Sequence, residues 1–588
     1  MADKMVNLKI NGIDVEVKAG TTILEAAKKV GIKIPTLCYL KDINAIGACR
    51  VCVVEVKGAR SLVASCVYPV SEGMEVFTST PRVLKSRKTT VELILSNHNK
   101  ACLSCVRSLN CELQALSEEL GCDAEHFSGA KTPSTIDDST PYLVRDNSKC
   151  ILCRRCVSAC KQYQSIGVIG ANSRGFNTHI ASQFSLPLMD VACVGCGQCI
   201  NVCPVGALTE KDETDKVLEA INDPSKYVIV GTAPSVRVGL GEEFGYPIGS
   251  NVEGQMVTAL KMLGFDDVFD VNFTADLTIM EEGTEFLDRV KNGGVLPMMT
   301  SCSPAWIKFV EHYYPEMIPN LSSCKSPQQM FGAICKTYYA EKIGKDPKDI
   351  VVVSIMPCTA KKFEKTRGNQ SAAGEGIPDI DYSLTTRELA KLIKKQGILF
   401  RDLKDSKFDA PIGIGSGAGL IFGATGGVME AALRTIADLV TGKDLDSFEY
   451  TDVRGIKGIK EATVPLTIDG KDIDVKVAVA SGLANARELI EKIKSGEAKD
   501  YHFIEIMSCP GGCVNGGGQP IRSAYIRNNY DLRELRAKGI YDTDAKMTLR
   551  KSHENPVIKE IYETYLEKPN SHKAHKILHT SYVARSNH

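Results

Sequence analysis

Residues 150–160, CILCRRCVSAC, and residues 193–204, CVGCGQCINVCP, each contain four cysteines with the spacing C-x2-C-x2-C-x3-C. In that spacing, three neighbouring thiolates bind one [4Fe–4S] cluster and the fourth binds the cluster of the other motif. Thiols that merely fill a core would not repeat the pattern twice. The predicted ligand sets are Cys150, Cys153, Cys156 and Cys203 for one cluster, and Cys193, Cys196, Cys199 and Cys160 for the other.

A third site is predicted nearer the N-terminus, between the hairpin-like residues 6–20 (VNLKINGIDVEVKAG) and a later strand-like stretch, residues 50–58 (RVCVVEVKG). Cysteines in a loop and in the strand that follows it suit a [2Fe–2S] site in a small ferredoxin-like β-grasp domain. The spacing C-x10-C-x2-C-x13-C differs from the plant pattern, and zinc-binding or buried thiols are the alternative. The predicted ligands are Cys38, Cys49, Cys52 and Cys66.

A fourth site follows the helix-like residues 81–100, with the spacing H-x3-C-x2-C-x5-C. These residues could bind zinc as a Cys3His set, but iron–sulfur motifs on both sides favour a [4Fe–4S] cluster. Four clusters in succession would form a wire that passes single electrons. Cys122 fits no cluster and is interpreted as a core thiol. The predicted ligands are His98, Cys102, Cys105 and Cys111.

Composition limits the classes of function and location. The chain has 588 residues, enough for about three to five domains. Lys plus Arg equals Asp plus Glu at 71 each, so the basic surplus that nucleic-acid binding requires is missing. No signal peptide or long apolar span is recognisable. The 22 cysteines suit metal binding in a reducing compartment, and we expect a cytoplasmic protein without a membrane span.

After residue 209 strand-like and helix-like stretches alternate, which predicts an α/β domain. Four apolar stretches end in a turn, and in α/β domains sites form beyond the carboxyl ends of such strands. Three of the four end in a cysteine, and a further cysteine follows in residues 509–520, CPGGCVNGGGQP. These cysteines could meet on one more cluster, or they could be separate buried thiols. The four stretches are residues 227–236, 294–302, 350–358 and 501–509.

The glycine-rich residues 413–434 contain a loose G-x-G-x-x-A, a weak candidate for a dinucleotide site because no clear strand precedes it. We expect this chain to bind no FMN or NAD, so that exchange with NAD(P) needs another subunit. Cys324 and Cys335 are interpreted as core thiols. His572, His575 and His579 could share a helix face and bind a metal, but a packed or solvated terminal helix is the preferred interpretation.

The order of these clusters, followed by TSCSPAW (300–306), MPCTAKKFE (356–364) and EIMSCPGGCVNGGGQP (505–520), resembles the [FeFe]-hydrogenases over essentially the whole chain. The resemblance is strongest to the long clostridial type and to the catalytic subunits of NAD(P)-linked multisubunit hydrogenases. Residues 550–582 look like a segment that is a separate small subunit in some relatives. The implied fold is multidomain α+β and α/β, with ferredoxin-like domains feeding a large α/β catalytic domain.

The resemblance implies an H-cluster, a [4Fe–4S] cube joined through a cysteine sulfur to a di-iron unit with CO, cyanide and a bridging dithiolate. One [2Fe–2S] and three accessory [4Fe–4S] clusters would accompany it. Cys358, Cys509 and Cys513 match cube ligands, of which Cys513 matches the bridging one. The remaining matches are Met356 and Met507 beside the di-iron unit, Lys361 and Ser235 at the cyanides, and Glu282, Ser322, Glu285 and Arg289 on a proton path.

The stretch TSCSPAW departs from the usual family turn TSCCPxW, in which the first cysteine relays protons and the second is the fourth cube ligand. Two interpretations remain. Either Ser303 or a water completes the cube and Cys302 keeps the relay role, or Cys302 becomes the ligand and the Ser303 hydroxyl carries the proton. A serine oxygen is a harder and much less acidic ligand than a thiolate. Position favours Cys302 as the relay.

The resemblance implies the reaction 2H⁺ + 2e⁻ ⇌ H2, with ferredoxin or NAD(P)-linked flavoprotein and iron–sulfur subunits as electron partners. The alternatives are an electron-wire subunit without hydrogen chemistry, as in respiratory NADH dehydrogenases, and a sensory hydrogenase. The predicted domains are a β-grasp domain (1–80), a His/Cys3 domain (81–140), a two-cluster ferredoxin-like domain (141–209), the H-cluster domain (210–530) and a small-subunit-like segment (531–588).

Overall fold

The computed structural model describes residues 4–441, 449–468, 471–498 and 500–586. In this part of the chain, small ferredoxin-like units precede a large α/β region, so the expected multidomain α+β and α/β architecture is confirmed. None of the described helices combines the length and the apolar character that crossing a bilayer requires.

The N-terminal unit is a β-grasp in which one helix packs on a mixed sheet. Its first strand alternates exposed and buried residues, and Val6, Leu8 and Ile10 point into the core. Asn11 and Gly12 both have positive φ, which suits the two-residue turn of the first hairpin. The elements are β1 Met5–Ile10, β2 Ile13–Lys18, α1 Ile23–Lys29, β3 Val53–Val56, β4 Val63–Ala64 and β5 Glu75–Phe77. The sheet order is β2-β1-β5-β3-β4.

The next 130 or so residues form short elements around the cysteine loops. In both copies of the four-cysteine motif the backbone is left-handed at the same two places, Leu152 and Arg154 in one copy and Gly195 and Gly197 in the other. The repeated spacing therefore corresponds to a repeated loop conformation. The elements are α2 Pro81–Asn97, α3 Glu112–Glu119, β6 Ile136–Asp137, β7 Leu143–Asp146, α4 Arg155–Ser158, β8 Ile169–Asn172, β9 His179–Ser182, α5 Gln198–Asn201 and β10 Leu208–Glu210.

The large α/β region begins with a four-stranded sheet of order β12-β11-β14-β15, in which every pairing is parallel. Parallel strands covered on both faces are apolar throughout, as in residues 350–356. The strands are β11 Tyr227–Thr232, β12 Asp267–Asp270, β14 Ile350–Met356 and β15 Tyr382–Thr385. The helices between residues 214 and 395 are α6 Thr214–Ile221, α7 Glu253–Leu263, α8 Asn272–Asn292, α9 Pro304–Tyr313, α10 Pro327–Ile334, α11 Ala340–Ile343, α12 Ala360–Glu364 and α13 Thr386–Lys395.

A second sheet of order β13-β18-β17-β16 contains the other two predicted strands. The apolar run 294–302 supplies only two strand residues, since Pro297 at its centre has no N–H to donate to a ladder. The strands are β13 Met298–Met299, β16 Ile459–Ile468, β17 Lys471–Ser481 and β18 Phe503–Met507, and the helices are α14 Gly417–Ile421, α15 Gly427–Thr441 and α16 Leu483–Ser495. The cysteine-bearing strand ends thus come from two sheets that face one another.

The C-terminal segment packs into the α/β region through buried polar contacts. Lys551 pairs with Asp438 at 2.6 Å. The buried carboxylate of Asp276 accepts hydrogen bonds from Ser552 at 2.8 Å and from Asn555 at 3.0 Å. The helices from residue 524 onward are α17 Ala524–Asn529, α18 Leu532–Asp544, α19 Pro556–Ile561 and α20 His572–Leu578.

The glycine-rich residues 413–434 serve close packing between helices. A Cβ added at Gly419 would lie 2.4 Å from the carbonyl oxygen of Asn272 at the start of α8, and one added at Gly415 would lie 2.3 Å from the Asn272 Cβ. The stretch begins in a turn and enters α14 without a preceding strand. The glycines are therefore explained by the contact of α14 with α8.

Candidate metal centres and active site

The four cysteines of the β-grasp unit meet in its loop region as two thiol pairs. The Cys52 and Cys66 sulfurs are 3.3 Å apart. The neighbouring thiol of Cys38 lowers the pKa of Cys49 to about 6, and that of Cys66 lowers the pKa of Cys52 to about 7. Because the thiolate is the form that binds metal, the geometry fits the predicted [2Fe–2S] group.

The predicted His/Cys3 ligands lie at the end of α2 and in the loop before α3. His98 is buried, and among the described residues its Nδ1 finds no hydrogen-bond partner. Such an unpaired buried nitrogen is costly unless a ligand binds it. Cys105 packs on the two-cluster unit so closely that a Cβ at Gly206 would lie 2.6 Å from its sulfur. The donor set therefore fits a metal centre in contact with the next unit.

The two four-cysteine motifs form two separate small cavities. Burial raises the pKa of Cys153 to about 12 and that of Cys160 to about 11, since a bare thiolate is poorly solvated in an apolar cavity. Bound iron would supply the missing positive charge. One cavity is lined by Cys150, Cys153, Cys156 and Cys203, and the other by Cys160, Cys193, Cys196 and Cys199. The groups that the structure brings together are the predicted ligand sets.

Polar side chains join the cysteine loops of neighbouring units. Asn44 donates from one amide to the carbonyl oxygens of Cys38, at 2.7 Å, and Cys153, at 3.1 Å. Arg155 donates to the same Cys38 carbonyl at 3.3 Å and pairs with Glu112 at 2.9 Å. The loops of the β-grasp unit and of the first four-cysteine motif are therefore fixed relative to each other.

The second four-cysteine motif contacts the α/β region where two backbone segments approach so closely that only glycine fits at position 517. A Cβ at Gly517 would lie 2.3 Å from the Cys196 carbonyl oxygen and 2.7 Å from the Gly197 Cα. Thr359 donates to the Gly195 carbonyl at 2.7 Å. Cys196 lines both its own motif's cavity and a cavity of the α/β region. The last accessory site is thus adjacent to the candidate active site.

That α/β cavity lies beyond the carboxyl ends of β11, β14 and β18, between the two sheets. It brings together the three predicted cube ligands. Burial, and then the charge of Cys358, raise the pKa of Cys513 to about 12. Ser235, directly after β11, lies on the same cavity and donates to the Gly423 carbonyl at 3.2 Å. The predicted site residues that line it are Ser235, Cys302, Ser303, Met356, Cys358, Lys361, Met507, Cys509 and Cys513.

Lys361 is almost fully buried at the cavity wall, where its ammonium group makes three hydrogen bonds. It donates to Ser326 Oγ at 2.7 Å, to Glu364 Oε2 at 2.8 Å and to the carbonyl oxygen of Cys302 at 3.1 Å. The Glu364 carboxylate provides the counter-charge that a buried lysine needs. Gln328 donates to the same carboxylate at 3.0 Å. The ammonium group is therefore held in place, and it can act only as a hydrogen-bond donor.

Sequence reasoning missed the side chains around Lys361, namely Ser326 and Glu364, which accept from its ammonium, and Gln328, which donates to its backbone carbonyl and to Glu364. Glu364 is three residues after Lys361, a spacing that brings side chains together on a helix, and this signal could have identified it. Ser326 and Gln328 come from the start of α10, far away in sequence. Their contact with Lys361 is a property of the tertiary fold.

Cys302 and Ser303 point to different neighbours. The Ser303 hydroxyl is hydrogen-bonded to the hydroxyl of Ser508 at 2.6 Å, and it also accepts the Ser508 N–H at 3.3 Å. Burial, and then the charges of Glu282 and Cys513, raise the pKa of the Cys302 thiol well above its usual range. Cys302 is therefore within electrostatic range of both the predicted bridging ligand and the first carboxyl of the predicted proton path.

Glu282 is a buried carboxyl on α8 with few partners. Its Oε1 accepts the Ser301 N–H at 3.3 Å, and its Oε2 has no partner among the described residues. Burial, followed by the charge of Glu285, raises the pKa of Glu282 to about 8. Ser322 donates to Glu285 Oε2 at 2.9 Å and also contacts Glu282. Glu282 is thus protonated at neutral pH and is linked to Glu285 by a hydroxyl.

Glu285 and Arg289 are half-buried, one helical turn apart on α8, and paired at 2.6 Å. The guanidinium also donates to the carbonyl of Leu321 at 2.8 Å. The four residues of the predicted proton path, including Glu282 and Ser322, are therefore contiguous. The helix face that they share is largely buried, with Glu282 almost fully enclosed.

The remaining cysteines have ordinary surroundings. Cys324 and Cys335 are fully buried, as core thiols should be. Cys122 is only half-buried, at the edge of the core near α2.

Comparison with known proteins agrees with this arrangement. Residues 226–517 match the family described as iron only hydrogenase large subunit, C-terminal domain, and residues 530–585 match the iron hydrogenase small subunit. Residues 3–81 match a 2Fe-2S iron-sulfur cluster binding domain, 87–126 an NADH-ubiquinone oxidoreductase-G iron-sulfur binding region, and 149–207 a 4Fe-4S dicluster domain.

Relatives match over nearly the whole chain. The NADP-reducing hydrogenase subunit HndD of Solidesulfovibrio fructosivorans is 48% identical, with 99% of each chain covered. Iron hydrogenase 1 of Clostridium pasteurianum is 44% identical over 98% of this chain and 100% of its own. The structure of an apo [FeFe]-hydrogenase variant from Chlamydomonas reinhardtii aligns with a TM-score of 0.57 and 44% identity, over 64% of this chain and 99% of the other.

The shared ligation between the two four-cysteine motifs gives a testable prediction. Cys156→Ser and Cys203→Ser should alter the same [4Fe–4S] signal in a reductive titration followed by electron paramagnetic resonance, because these thiols line one cavity. Cys160→Ser should alter the other signal and serves as the matched control. If Cys203→Ser and Cys160→Ser change the same signal, the assignment of ligands is wrong.

Proposed function

The chain belongs to the [FeFe]-hydrogenase family, and from that premise we propose that it catalyses 2H⁺ + 2e⁻ ⇌ H2 with an H-cluster held in the cavity between its two sheets. One observation carries the proposal: the thiols of Cys358, Cys509 and Cys513 share that cavity with Cys302, which lies beside the buried carboxyl of Glu282. A group that takes electrons from one side and protons from the other would fit this position.

When bound, the H-cluster supplies the redox-active iron at which two protons and two electrons combine. Cys358, Cys509 and Cys513 would hold its cube, and Met356 and Met507 would flank its di-iron unit. Lys361 and Ser235 would donate hydrogen bonds to the cyanide ligands. Lys361 suits this task since Ser326 and Glu364 hold its ammonium on the cavity wall. All three of its N–H donors are engaged, so it would exchange the bond to the Cys302 carbonyl for one to the ligand.

The chain of cysteine sites supports the electron side of the proposal. The four accessory sites would hold one [2Fe–2S] and three [4Fe–4S] clusters, and they contact one another through the loops joined by Asn44, Arg155 and Gly206. Cys196 borders the last accessory cavity and the catalytic cavity alike. Electrons entering at the N-terminal units would therefore reach the active site through this chain alone.

Buried groups with exchangeable protons support the proton side. Glu282, with a pKa of about 8, holds its proton at neutral pH and can pass it to the thiol of Cys302. The Ser322 hydroxyl can return a proton to Glu282 from Glu285. Arg289 holds Glu285 in the orientation that this transfer requires.

Partners and location complete the proposal. Similarity to an NADP-reducing hydrogenase subunit supports NAD(P)-linked flavoprotein and iron–sulfur subunits as electron partners, and similarity to the clostridial enzyme keeps ferredoxin as the alternative. FMN and NAD would bind to the partner. We place the protein in the cytoplasm, since its described cysteines are all unpaired thiols and such a number suits a reducing compartment.

The function is tested by H2 evolution from reduced viologen. Anaerobically prepared protein whose cavity has been loaded with the di-iron cofactor should evolve H2. Protein that carries only its iron–sulfur clusters should not, because the accessory sites can pass electrons without joining them to protons. If fully loaded protein is inactive, the chain is an electron-transfer subunit.

Glu282 should carry the protons of this reaction. Glu282→Gln keeps the shape of the side chain but cannot exchange a proton, so H2 evolution should fall at least about 100-fold. In the unchanged protein the rate should decline as pH rises through about 8, where Glu282 loses the proton that it donates. Glu282→Asp, which keeps a carboxyl, should retain more activity. A Glu282→Gln variant with near-normal turnover would exclude this path.

Cys302 should relay protons and not bind iron. Cys302→Ala should keep its cube iron, measured by iron content and electron paramagnetic resonance, and lose turnover, since the thiol lies beside Glu282. Ser303→Cys restores the thiol of the usual family turn and should keep turnover while slowing iron loss to a chelator. Loss of the cube in Cys302→Ala would instead identify Cys302 as the fourth ligand.

A further inference from the structure

The predicted proton path ends on a residue that cannot exchange protons at neutral pH. Arg289 remains a cation because a guanidinium is not deprotonated in proteins. Its donors are occupied by Glu285 at 2.6 Å and by carbonyl oxygens, including that of Leu321 at 2.8 Å. Arg289 therefore anchors the Glu285 carboxylate, and a different group has to exchange protons with it.

A hydroxyl and an imidazole lie on the other side of Glu285. Ser323 Oγ is 3.4 Å from Glu285 Oε2, and the Ser323 N–H also donates to that oxygen at 3.2 Å. His579 Nδ1 is 2.8 Å from the same Ser323 hydroxyl. Imidazole is the side chain whose ordinary pKa lies nearest neutrality. Neither Ser323 nor His579 belongs to the path inferred from the sequence.

The C-terminal segment places His579 here by main-chain pairing. The Lys325 N–H donates to the carbonyl of Leu578, and the Thr580 N–H donates to the carbonyl of Ser323, both at 2.8 Å. These bonds flank an antiparallel bridge between Cys324 and His579. The register sets the imidazole next to Ser323, and the small-subunit-like segment thereby contributes to the α/β site.

His575 lies between the buried imidazole of His579 and the protein surface. His579 is 9% exposed, whereas His575, one turn earlier on α20, is exposed. The two rings stack with centroids 3.9 Å apart and planes at 28°. The exposed His575 ring is therefore the group that covers the buried His579 ring on its solvent side.

We propose that Ser323, His579 and His575 form a proton channel from solvent to Glu285 that the C-terminal segment supplies. The proposal rests on the proposed function, because only proton turnover in the cavity gives Glu285 a proton to receive or release. In one transfer, His579 Nδ1–H donates its proton to Ser323 Oγ while the Ser323 hydroxyl proton moves to Glu285. The neutral His579 ring then regains a proton at Nδ1 from solvent that is admitted when the exposed His575 ring moves off it, so one proton moves inward and charge balances.

Neighbouring side chains fix the orientation of the His579 ring. Glu281 Oε2 lies 3.0 Å from His579 Nε2, and the hydroxyl of Tyr562 donates to the other Glu281 oxygen at 2.5 Å. The Glu281 side chain therefore orients the ring, with Nε2 toward Glu281 and Nδ1 toward Ser323. The titratable groups that face the imidazole are Glu281 and Glu285 on α8, Cys324, Tyr562 and His575.

The test compares loaded full-length variants in H2 evolution from reduced viologen, across pH and in H2O and D2O. His579→Ala and Ser323→Ala should each lose about tenfold to a hundredfold in rate, in the range of a positioned proton-transfer group. Their deuterium isotope effects should rise. Added imidazole should restore His579→Ala but not Ser323→Ala. His572→Ala, an exposed histidine on the same helix, is the control and should match the unchanged protein.

Two results would overturn the channel. His579→Ala could keep the rate, pH profile and isotope effect of the unchanged protein while Glu285→Gln loses turnover, in which case Glu285 exchanges directly with water. Alternatively, His579→Ala could lose activity that imidazole does not restore, which identifies a structural role. Absence of H2 from the unchanged loaded protein would instead refute the proposed function, so the two failures are distinguishable.

Discussion

The contact of Gly517 with Cys196 and Gly197 is the constraint on which the rest of the architecture depends. The backbones meet so closely that a single added carbon at Gly517 would lie 2.3 Å from the Cys196 carbonyl oxygen. This approach places a thiol of the last accessory site on the wall of the catalytic cavity, near Cys509. The last predicted cluster site and the candidate active site are thereby adjacent, and any side chain at Gly517 would separate them.

The spacing of cysteines along the sequence predicted those groupings of thiols that come from one short loop. The repeated C-x2-C-x2-C-x3-C motif identified both ligand sets that the structure assembles, because three of the four thiols come from one short loop. Strand-like stretches that end in Cys358 and Cys509 indicated two thiols that the structure places on one cavity. Ser326 beside Lys361 and the contact of His579 with Ser323 escaped prediction, since they are brought together from distant segments by packing and carry no spacing signal.

The structure gives Cys302 and Ser303 of TSCSPAW different surroundings, which bears on which of them relays protons. Ser303 exchanges hydrogen bonds with Ser508, whereas Cys302 is within electrostatic range of Glu282 and Cys513. The Ser303 side chain therefore contacts the end of β18, whereas the Cys302 thiol belongs to the part of the cavity that contains the acid–base groups. A buried carboxyl with a pKa of about 8 is suited to proton transfer, and it is the cysteine that faces it.

The central claim is that the cavity bounded by Cys358, Cys509 and Cys513 holds the catalytic iron. Anomalous diffraction at the iron edge from crystals of loaded protein would test it most directly. We expect iron density in this cavity in addition to the four accessory sites, with density for a di-iron unit next to Cys513 and Cys302. Iron at the accessory sites with none beside these three cysteines would contradict the account.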